Sequence, residues 1–179
     1  MNQMCYNIYD ALQQKKHVRE IARQIKSNQM TVSRKLKLLQ KENIIDYMEE
    51  GRNKYYFRKK SIESQLFEKQ TEIAKATKFV KDNPQFRSLI EEILHNKEIS
   101  FAVIFGSYAK NSSGKLSDLD VFCENISQNV KKELELLNAK VSIKTGQFNS
   151  ESALGKEIAK KYIILKGVDT IDKIHKKVM

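Results

Sequence analysis

The chain has 179 residues, with 33 Lys and Arg against 22 Asp and Glu, a formal net charge of +11. That length suits one ordinary domain or two small ones. Its longest apolar run, Phe101 to Phe105, is far shorter than the roughly 18 residues of a membrane-spanning helix. Cys5 and Cys123 lie far apart in no CxxC pattern, which argues against a disulfide framework or a zinc site. Because the first residues also lack a signal-peptide layout, we expect a cytoplasmic protein with no membrane partner.

The positive charge is concentrated near the amino terminus. Residues 1–60 hold 14 Lys and Arg against 6 Asp and Glu, whereas residues 61–179 hold 19 against 16. The net charges are therefore +8 and +3. A solvated lysine-rich surface is one explanation. The asymmetry favours a nucleic-acid-binding module in the first third, because phosphate contacts need clustered Lys and Arg.

Apolar spacing predicts three short helices in the first 41 residues. The first covers about residues 4–14 and the second about 18–26. Ser27 and Asn28 follow, and both are good N-cap residues for the third helix. The apolar residues of that third helix are Val32, Leu36 and Leu39. Its opposite, polar face carries Gln29, Thr31, Ser33, Arg34 and Lys37.

Two β-prone runs follow, at residues 44–48 and 54–58, and Gly51 lies in the turn between them. This pattern predicts a β-hairpin. Basic residues lie on or beside the hairpin, as a wing that touches phosphate requires. They are Arg52, Lys54, Arg58, Lys59 and Lys60.

In order, spacing and charge, HVREIARQIKSNQMTVSRKLKLLQKENIID…GRNKYYF resembles the winged helix-turn-helix family of prokaryotic regulators. The resemblance covers most of residues 1–60 and implies a double-stranded DNA partner. In such motifs the second helix lies in the major groove. The implied DNA contacts are Gln29, Thr31, Ser33, Arg34, Lys37, Arg52, Lys54 and Arg58. The alternative is that this domain docks onto a protein.

Residues 61–84 are predicted to form a linker helix. Residues 61–82 contain no Gly or Pro, and Pro84 suits the first turn of another helix, at about 85–95. An intermittent apolar stripe marks the linker. The stripe could pair with its copy in a homodimer or simply cover the second domain.

The second domain, residues 85–179, carries paired carboxylates. The apolar run 99–105 predicts a buried strand, which ends in Gly106 and Ser107. A second strand contains Asp118 and Asp120, which alternation places on one face. Two adjacent carboxylates favour a shared cation or a pair of cations, and oxygen ligands suit Mg²⁺. After a helix over about 127–138, a third strand is predicted at 140–144.

The pattern GSYAKNSSGKLSDLDVF resembles the minimal nucleotidyltransferases of the DNA polymerase β superfamily. The resemblance implies a small α/β domain, so that the whole chain would be an α+β protein. It also implies Mg²⁺ and a nucleoside triphosphate as cofactors. Asp118 and Asp120 would be catalytic and hold the metal, while Gly106 and Ser107 would bind the phosphates.

One position departs from that family pattern. Active members carry a third carboxylate on a later strand, and here Ser142 occupies the expected place. Serine is a poor metal ligand and cannot act as a base at neutral pH. Lys140 and Lys144 would add positive charge beside it, which favours phosphate over a divalent metal. Glu124 is a neighbouring carboxylate that could substitute.

Two functional hypotheses follow. The first is a DNA-binding transcriptional regulator whose nucleotidyltransferase-like domain binds nucleotide without turnover. The second is an active Mg²⁺-dependent nucleotidyltransferase that modifies a protein or RNA. The resemblance also permits an antitoxin role beside a toxin-like protein partner. We favour the first because the winged-helix pattern is complete, whereas the carboxylate set is not.

Overall fold

The computed structural model describes residues 2–114 and 117–175. The chain divides into two compact units, the first ending at Ala74 and the second beginning at Lys75. Elements of the first unit are α1 (Gln3–Ala11), β1 (Lys16–His17), α2 (Val18–Gln24), α3 (Gln29–Lys41), β2 (Ile45–Glu50) and β3 (Asn53–Arg58). Helix α4 (Ile62–Asp82) runs across the division. Elements of the second unit are α5 (Arg87–His95), β4 (Ala102–Phe105), α6 (Gly106–Ala109), β5 (Leu119–Glu124), α7 (Gln128–Leu136), β6 (Val141–Gly146), α8 (Ala153–Lys160), β7 (Ile163–Lys166) and α9 (Asp172–His175).

The three helices and the hairpin of the first unit occur in the predicted order. Asn28 caps α3, since its side-chain oxygen accepts the Thr31 N–H at 2.7 Å. Strands β2 and β3 pair antiparallel, and Gly51 adopts φ +62° in the turn between them. The two-residue strand β1 was not predicted. It pairs antiparallel with β3, which gives a three-stranded sheet of order β1-β3-β2.

A single apolar core holds the first unit together. Its fully buried members include Ile8, Ile21, Val32, Leu36, Leu39 and Ile45. The three predicted core residues of α3 are therefore all buried. Phe67, from α4, belongs to the same core and stacks on Tyr6 with ring centroids 5.2 Å apart.

Helix α4 lies within the predicted linker, residues 61–84, and also contributes side chains to the apolar cores. Phe67 lies in the core of the first unit, whereas Phe79 belongs to a core of the second. The rings of Phe79 and Phe86 stack at 6.4 Å, and both contact Tyr108 edge-on. Pro84 opens a 3₁₀ turn directly before α5, in accord with its predicted place at a helix start.

The second unit is built on a four-stranded sheet of order β6-β5-β4-β7. Strand β4 pairs antiparallel with both β5 and β7, whereas β5 and β6 run parallel. The parallel pair needs a crossover connection, which α7 supplies. Together the two units confirm the predicted α+β class.

Each face of this sheet carries its own apolar core. Leu119, Val121 and Cys123 point to the face that α5 and α7 cover. Phe122 points to the opposite face, where Ile158 of α8 packs. Alternation along the strand explains the division, because successive side chains point to opposite faces.

Several predicted boundaries differ from the structure. Strand β4 begins at Ala102 rather than at residue 99, and β5 begins at Leu119, so Asp118 precedes the strand. The predicted last helix, 169–177, is a 3₁₀ turn at Val168–Thr170 followed by α9, and its final two residues lie outside the described part. None of the helices within residues 2–114 and 117–175 is long and apolar enough to cross a membrane.

Candidate functional site

Gly106 and Asp120 meet where β4 ends and β5 begins. The sheet register pairs Asp120 with Phe105, the residue directly before Gly106. Gly106 is buried and adopts φ +69°. A Cβ atom at this position would lie 2.5 Å from Oδ2 of Asp120. Only a residue without a side chain allows the backbone to approach this carboxylate so closely.

Asp118 and Asp120 lie two residues apart in sequence and interact electrostatically. Asp118 is exposed, whereas Asp120 is half-buried. Burial raises the pKa of the Asp120 carboxyl above its ordinary value, and the charges of Glu157 and Asp118 raise it further. The charges of Lys144 and Lys110 act in the opposite direction. The carboxylate thus lies in a mixed field of two lysines and two acids.

Ser107 follows Gly106 as the second residue of the four-residue helix α6. Its backbone carbonyl accepts the Ser112 N–H at 3.0 Å, which folds the following loop back onto α6. The Ser107 side chain is half-buried. Three of the predicted site residues, Gly106, Ser107 and Asp120, therefore lie together, with Asp118 beside them.

Ser142 lies directly beside Asp120. In the parallel pair of β5 and β6 the register sets Asp120 against Ser142 and Phe122 against Lys144. The sequence-based placement of Ser142 on the site-facing side of the third strand agrees with this register. The position nearest to Asp120 on the neighbouring strand thus carries a hydroxyl and not a carboxylate.

Glu124 does not supply the missing acid. It is buried at the far end of β5, four residues beyond Asp120, and its Oε1 accepts the Phe148 N–H at 3.3 Å. Four residues along a strand correspond to roughly 13 Å. Glu124 therefore holds the segment after β6 and lies too far away to share a cation with Asp120.

Sequence reasoning did not find the ion pair between Lys110 and Glu157. Lys110 Nζ lies 3.6 Å from Oε1 of Glu157, which α8 contributes. The two residues are 47 positions apart, and no local pattern links them. The charges of both act on Asp120, so α8 contributes to the electrostatics of the site.

The residues present fit a divalent cation only in part. Within the described ranges, no three His, Cys, Asp or Glu side chains form a group able to hold a metal ion. Mg²⁺ nevertheless commonly binds proteins through one or two carboxylates and takes its other ligands from water and phosphate. Asp118 and Asp120, with the Asp120 carboxylate against the backbone of Gly106, suit that mode.

The predicted DNA-contacting residues differ in their exposure. Some are exposed on α3 or on the hairpin: Gln29, Arg34, Lys37, Arg52 and Lys54. Thr31 and Ser33 are half-buried at the start of α3. Lys54 is partly engaged, since it lies 3.5 Å from a Glu49 oxygen and 4.0 Å from the centre of the Tyr47 ring.

Arg58 is not part of that exposed surface, which corrects the prediction for this residue. Its Nε and Nη2 both donate to the Tyr9 carbonyl, at 3.0 and 2.9 Å, and Nη1 pairs with Glu68 at 2.9 Å. The guanidinium also lies 4.2 Å from the centre of the Tyr9 ring. The Arg58 side chain is only 16% exposed. It joins α1, β3 and α4, and three of its five N–H groups are engaged in these contacts.

Comparison with known proteins agrees with this geometry in the second unit. Residues 88–170 match the family described as Polymerase beta, Nucleotidyltransferase. The prediction of a nucleotidyltransferase-like second domain is confirmed over this range. The match includes Gly106, Ser107, Asp118, Asp120 and Ser142, but it does not extend into the first unit.

Two solved structures are similar to part of the chain. One is described as a toxin–antitoxin with AMP-PNP; it has 18% identity and a TM-score of 0.37, with 51% of this chain and 78% of that chain covered. The other is a mutant of the toxin–antitoxin MntA-HpeT; it has 18% identity and a TM-score of 0.35, with coverage of 56% and 77%. Among curated proteins, no significant match was found.

Proposed function

We propose that the second unit binds a nucleoside triphosphate together with Mg²⁺ and transfers its nucleotidyl group to a hydroxyl of a protein or RNA acceptor. The acceptor oxygen bonds to the α-phosphorus, the bond from that phosphorus to the bridging oxygen of the β-phosphate breaks, pyrophosphate leaves, and the hydroxyl proton passes to solvent. The observation that carries this proposal is the contact between Gly106 and Asp120 inside the region that matches the nucleotidyltransferase family. This contact supports the hypothesis of an active nucleotidyltransferase more directly than that of a DNA-binding regulator that binds nucleotide without turnover. The antitoxin role implied by the sequence resemblance stays a prediction within it.

Each residue of the site has a separate task in this proposal. Asp118 and Asp120 hold the cation, which when bound neutralises phosphate charge. Gly106 allows phosphate oxygens to approach the backbone, and Ser107 offers a hydroxyl and an N–H beside them. Ser142 cannot accept a proton at neutral pH, so the acceptor hydroxyl loses its proton without help from this position. We therefore expect transfer to be slow.

Nucleotide binding is tested first, by calorimetric titration of the full chain with ATP and Mg²⁺. Asp120→Asn removes one ligand charge and should weaken Mg²⁺-dependent ATP binding about tenfold or more, as expected for a charged contact. Glu133→Gln is the control, because Glu133 is exposed on α7, on the opposite side of the sheet. Equal affinities of the two variants would reject the proposed site.

Transfer is tested with ATP labelled in its α-phosphate. The full chain and Mg²⁺ are incubated with candidate protein and RNA acceptors, and the label retained on each acceptor is measured. Transfer that Asp120→Asn abolishes would support nucleotidyltransferase activity. ATP binding without labelling of any acceptor would instead indicate that the unit binds nucleotide and does not transfer it. Genome neighbours are a source of acceptors to try, since an adjacent toxin-like gene would favour the antitoxin role.

For the first unit we propose duplex DNA as the ligand. Specific support comes from α3, where Arg34 and Lys37 are exposed on the face opposite its buried residues and Gln29 is exposed at its first residue. A short helix before α3 and a hairpin after it suit the winged helix-turn-helix reading of residues 1–60. A regulator of transcription, or an enzyme that controls its own expression, would use such a unit. Pairing of two copies through α4 stays a prediction.

A further inference from the structure

Lys144 and Asp120 share one face of the sheet at the proposed nucleotide site. The register of β5 and β6 places Lys144 beside Phe122, one strand away from Asp120 and two residues beyond Ser142. Residues two apart on a strand point the same way, so Ser142 and Lys144 both lie on the side of Asp120. Strand β6 thus presents a hydroxyl and an ammonium to the site.

The Lys144 ammonium is available to a ligand. The residue is exposed, and its side chain forms no ion pair or hydrogen bond with any residue that the structure describes. Lys110, the other cation whose charge reaches Asp120, is paired with Glu157. Of the two lysines, Lys144 is therefore the one that can bind an added anion without breaking an existing ion pair.

These charges bear on how many metal ions the site can hold. In two-metal sites the ions lie roughly 3.5–4 Å apart, and they need enough anionic ligands to offset four positive charges. Here the described carboxylates beside the site are Asp118 and Asp120, and the adjacent position on β6 is Ser142. A fixed ammonium at Lys144 would repel a second divalent ion placed beside it.

We propose that the second unit binds its nucleoside triphosphate with one divalent cation, and that the Lys144 ammonium binds phosphate oxygens where a second ion would otherwise lie. This inference rests on the proposed nucleotide binding and adds to it a metal stoichiometry and a phosphate-binding residue. A lysine is suited to the task, because its ammonium binds phosphate as a compact point charge.

The test counts Mn²⁺ ions by electron paramagnetic resonance on the full chain saturated with a non-hydrolysable ATP analogue. Mn²⁺ replaces Mg²⁺ as a detectable probe. The wild-type chain should bind one ion, and the double variant Ser142→Asp with Lys144→Ala should bind two. Two ions on the wild-type chain, or one on a double variant that still binds the nucleotide analogue, would overturn the proposal.

A second measurement isolates Lys144. Lys144→Gln should weaken binding of the analogue about tenfold, both with Mn²⁺ and in a chelator, since a charged contact to phosphate is lost. Lys132→Gln is the matched control, because Lys132 is exposed on α7, which covers the other face of the sheet. Equal affinities for the two variants would contradict the phosphate-binding role. If the wild-type chain binds no analogue at all, the proposed nucleotide binding itself fails.

Discussion

Oδ2 of Asp120 lies where a side chain at position 106 would begin. An added Cβ on Gly106 would be 2.5 Å from that oxygen, and the backbone there has φ +69°, a conformation that L-residues other than glycine rarely adopt. The carboxylate and the glycine are thus mutually adapted. A larger side chain at either position would prevent the end of β4 and the start of β5 from meeting in this way.

Gly106→Ala should therefore damage both stability and ligand binding. The left-handed backbone alone costs a non-glycine residue roughly 1–2 kcal/mol, and displacement of Asp120 adds to that. We expect at least a tenfold loss of Mg²⁺-dependent ATP affinity, measured by calorimetry. Thermal unfolding measures the loss of stability.

Gly114→Ala provides a control for the Gly106 variant. Among the residues that the structure describes, an added Cβ on Gly114 would meet only Ser117 Oγ, at 4.0 Å, which is ordinary contact. We expect this variant to bind ATP as the wild-type chain does. If Gly106→Ala also retained full affinity, the close approach of the backbone to the carboxylate would have no part in binding.

Asp120 should make the folded chain less stable as the pH rises. Burial is the main cause of its raised pKa, so the folded state binds this proton more tightly than the unfolded state does. Between the ordinary and the raised pKa the folded state therefore holds more protons, and the free energy of unfolding falls with increasing pH. Above the raised pKa the full destabilisation is present. Below the ordinary value it is absent.

Asp120→Asn should remove this contribution to the pH dependence and raise the free energy of unfolding near pH 7, although it weakens nucleotide binding. The measurement is urea unfolding of both proteins at several pH values from 3 to 7, roughly the range that brackets the ordinary carboxyl pKa. A variant less stable than wild type at neutral pH would show that Asp120 is held by favourable contacts and not merely buried.

Local patterns predicted those features that depend on neighbouring residues. The position of Ser27 and Asn28 before an apolar repeat makes both of them N-cap candidates, and Asn28 caps α3. Alternation on a strand placed Ser142 on the side of Asp120, which agrees with the register of β5 and β6. Both features depend on a few adjacent residues and on fixed backbone periodicities, which are visible in any sequence.

Tertiary contacts decided what the patterns could not show. Arg58 resembles the other basic residues of the hairpin in sequence, but its guanidinium is largely buried and binds the Tyr9 carbonyl and Glu68. Lys110 meets Glu157 only because α8 packs against the sheet face that carries Asp120. Neither partner can be chosen from sequence spacing, since each pair joins segments brought together by folding.

Arg58→Ala should destabilise the first unit by about 2–3 kcal/mol, because charged hydrogen bonds and a largely buried ion pair are lost together. Urea unfolding is the measurement. Arg52→Ala is the control variant, because Arg52 is exposed on the hairpin turn. A surface substitution of this kind changes the free energy of unfolding by no more than about 0.5 kcal/mol. Similar unfolding midpoints for the two variants would show that the contacts of Arg58 do not support the fold.

Two residues of α3, Lys37 and Arg34, should affect DNA binding by the first unit in different ways, one through its salt dependence and the other through its affinity. Each phosphate contact contributes about 0.9 to the slope of log affinity against log salt concentration. If Lys37 contacts phosphate, Lys37→Ala should lower that slope by about one unit for any duplex. Arg34→Ala should weaken binding by about 1–3 kcal/mol if Arg34 reads a base edge.

Fluorescence anisotropy with labelled duplexes, at several salt concentrations, measures both quantities. Lys132→Gln serves as the control here too, because it removes an exposed lysine of the second unit and should leave the salt slope unchanged. Equal slopes for Lys37→Ala and Lys132→Gln would remove Lys37 from the interface. Phosphate contacts release counterions, so DNA binding through them depends on the salt concentration. If the wild-type chain binds no duplex, or binds it independently of salt, the first unit would instead be a protein-docking module.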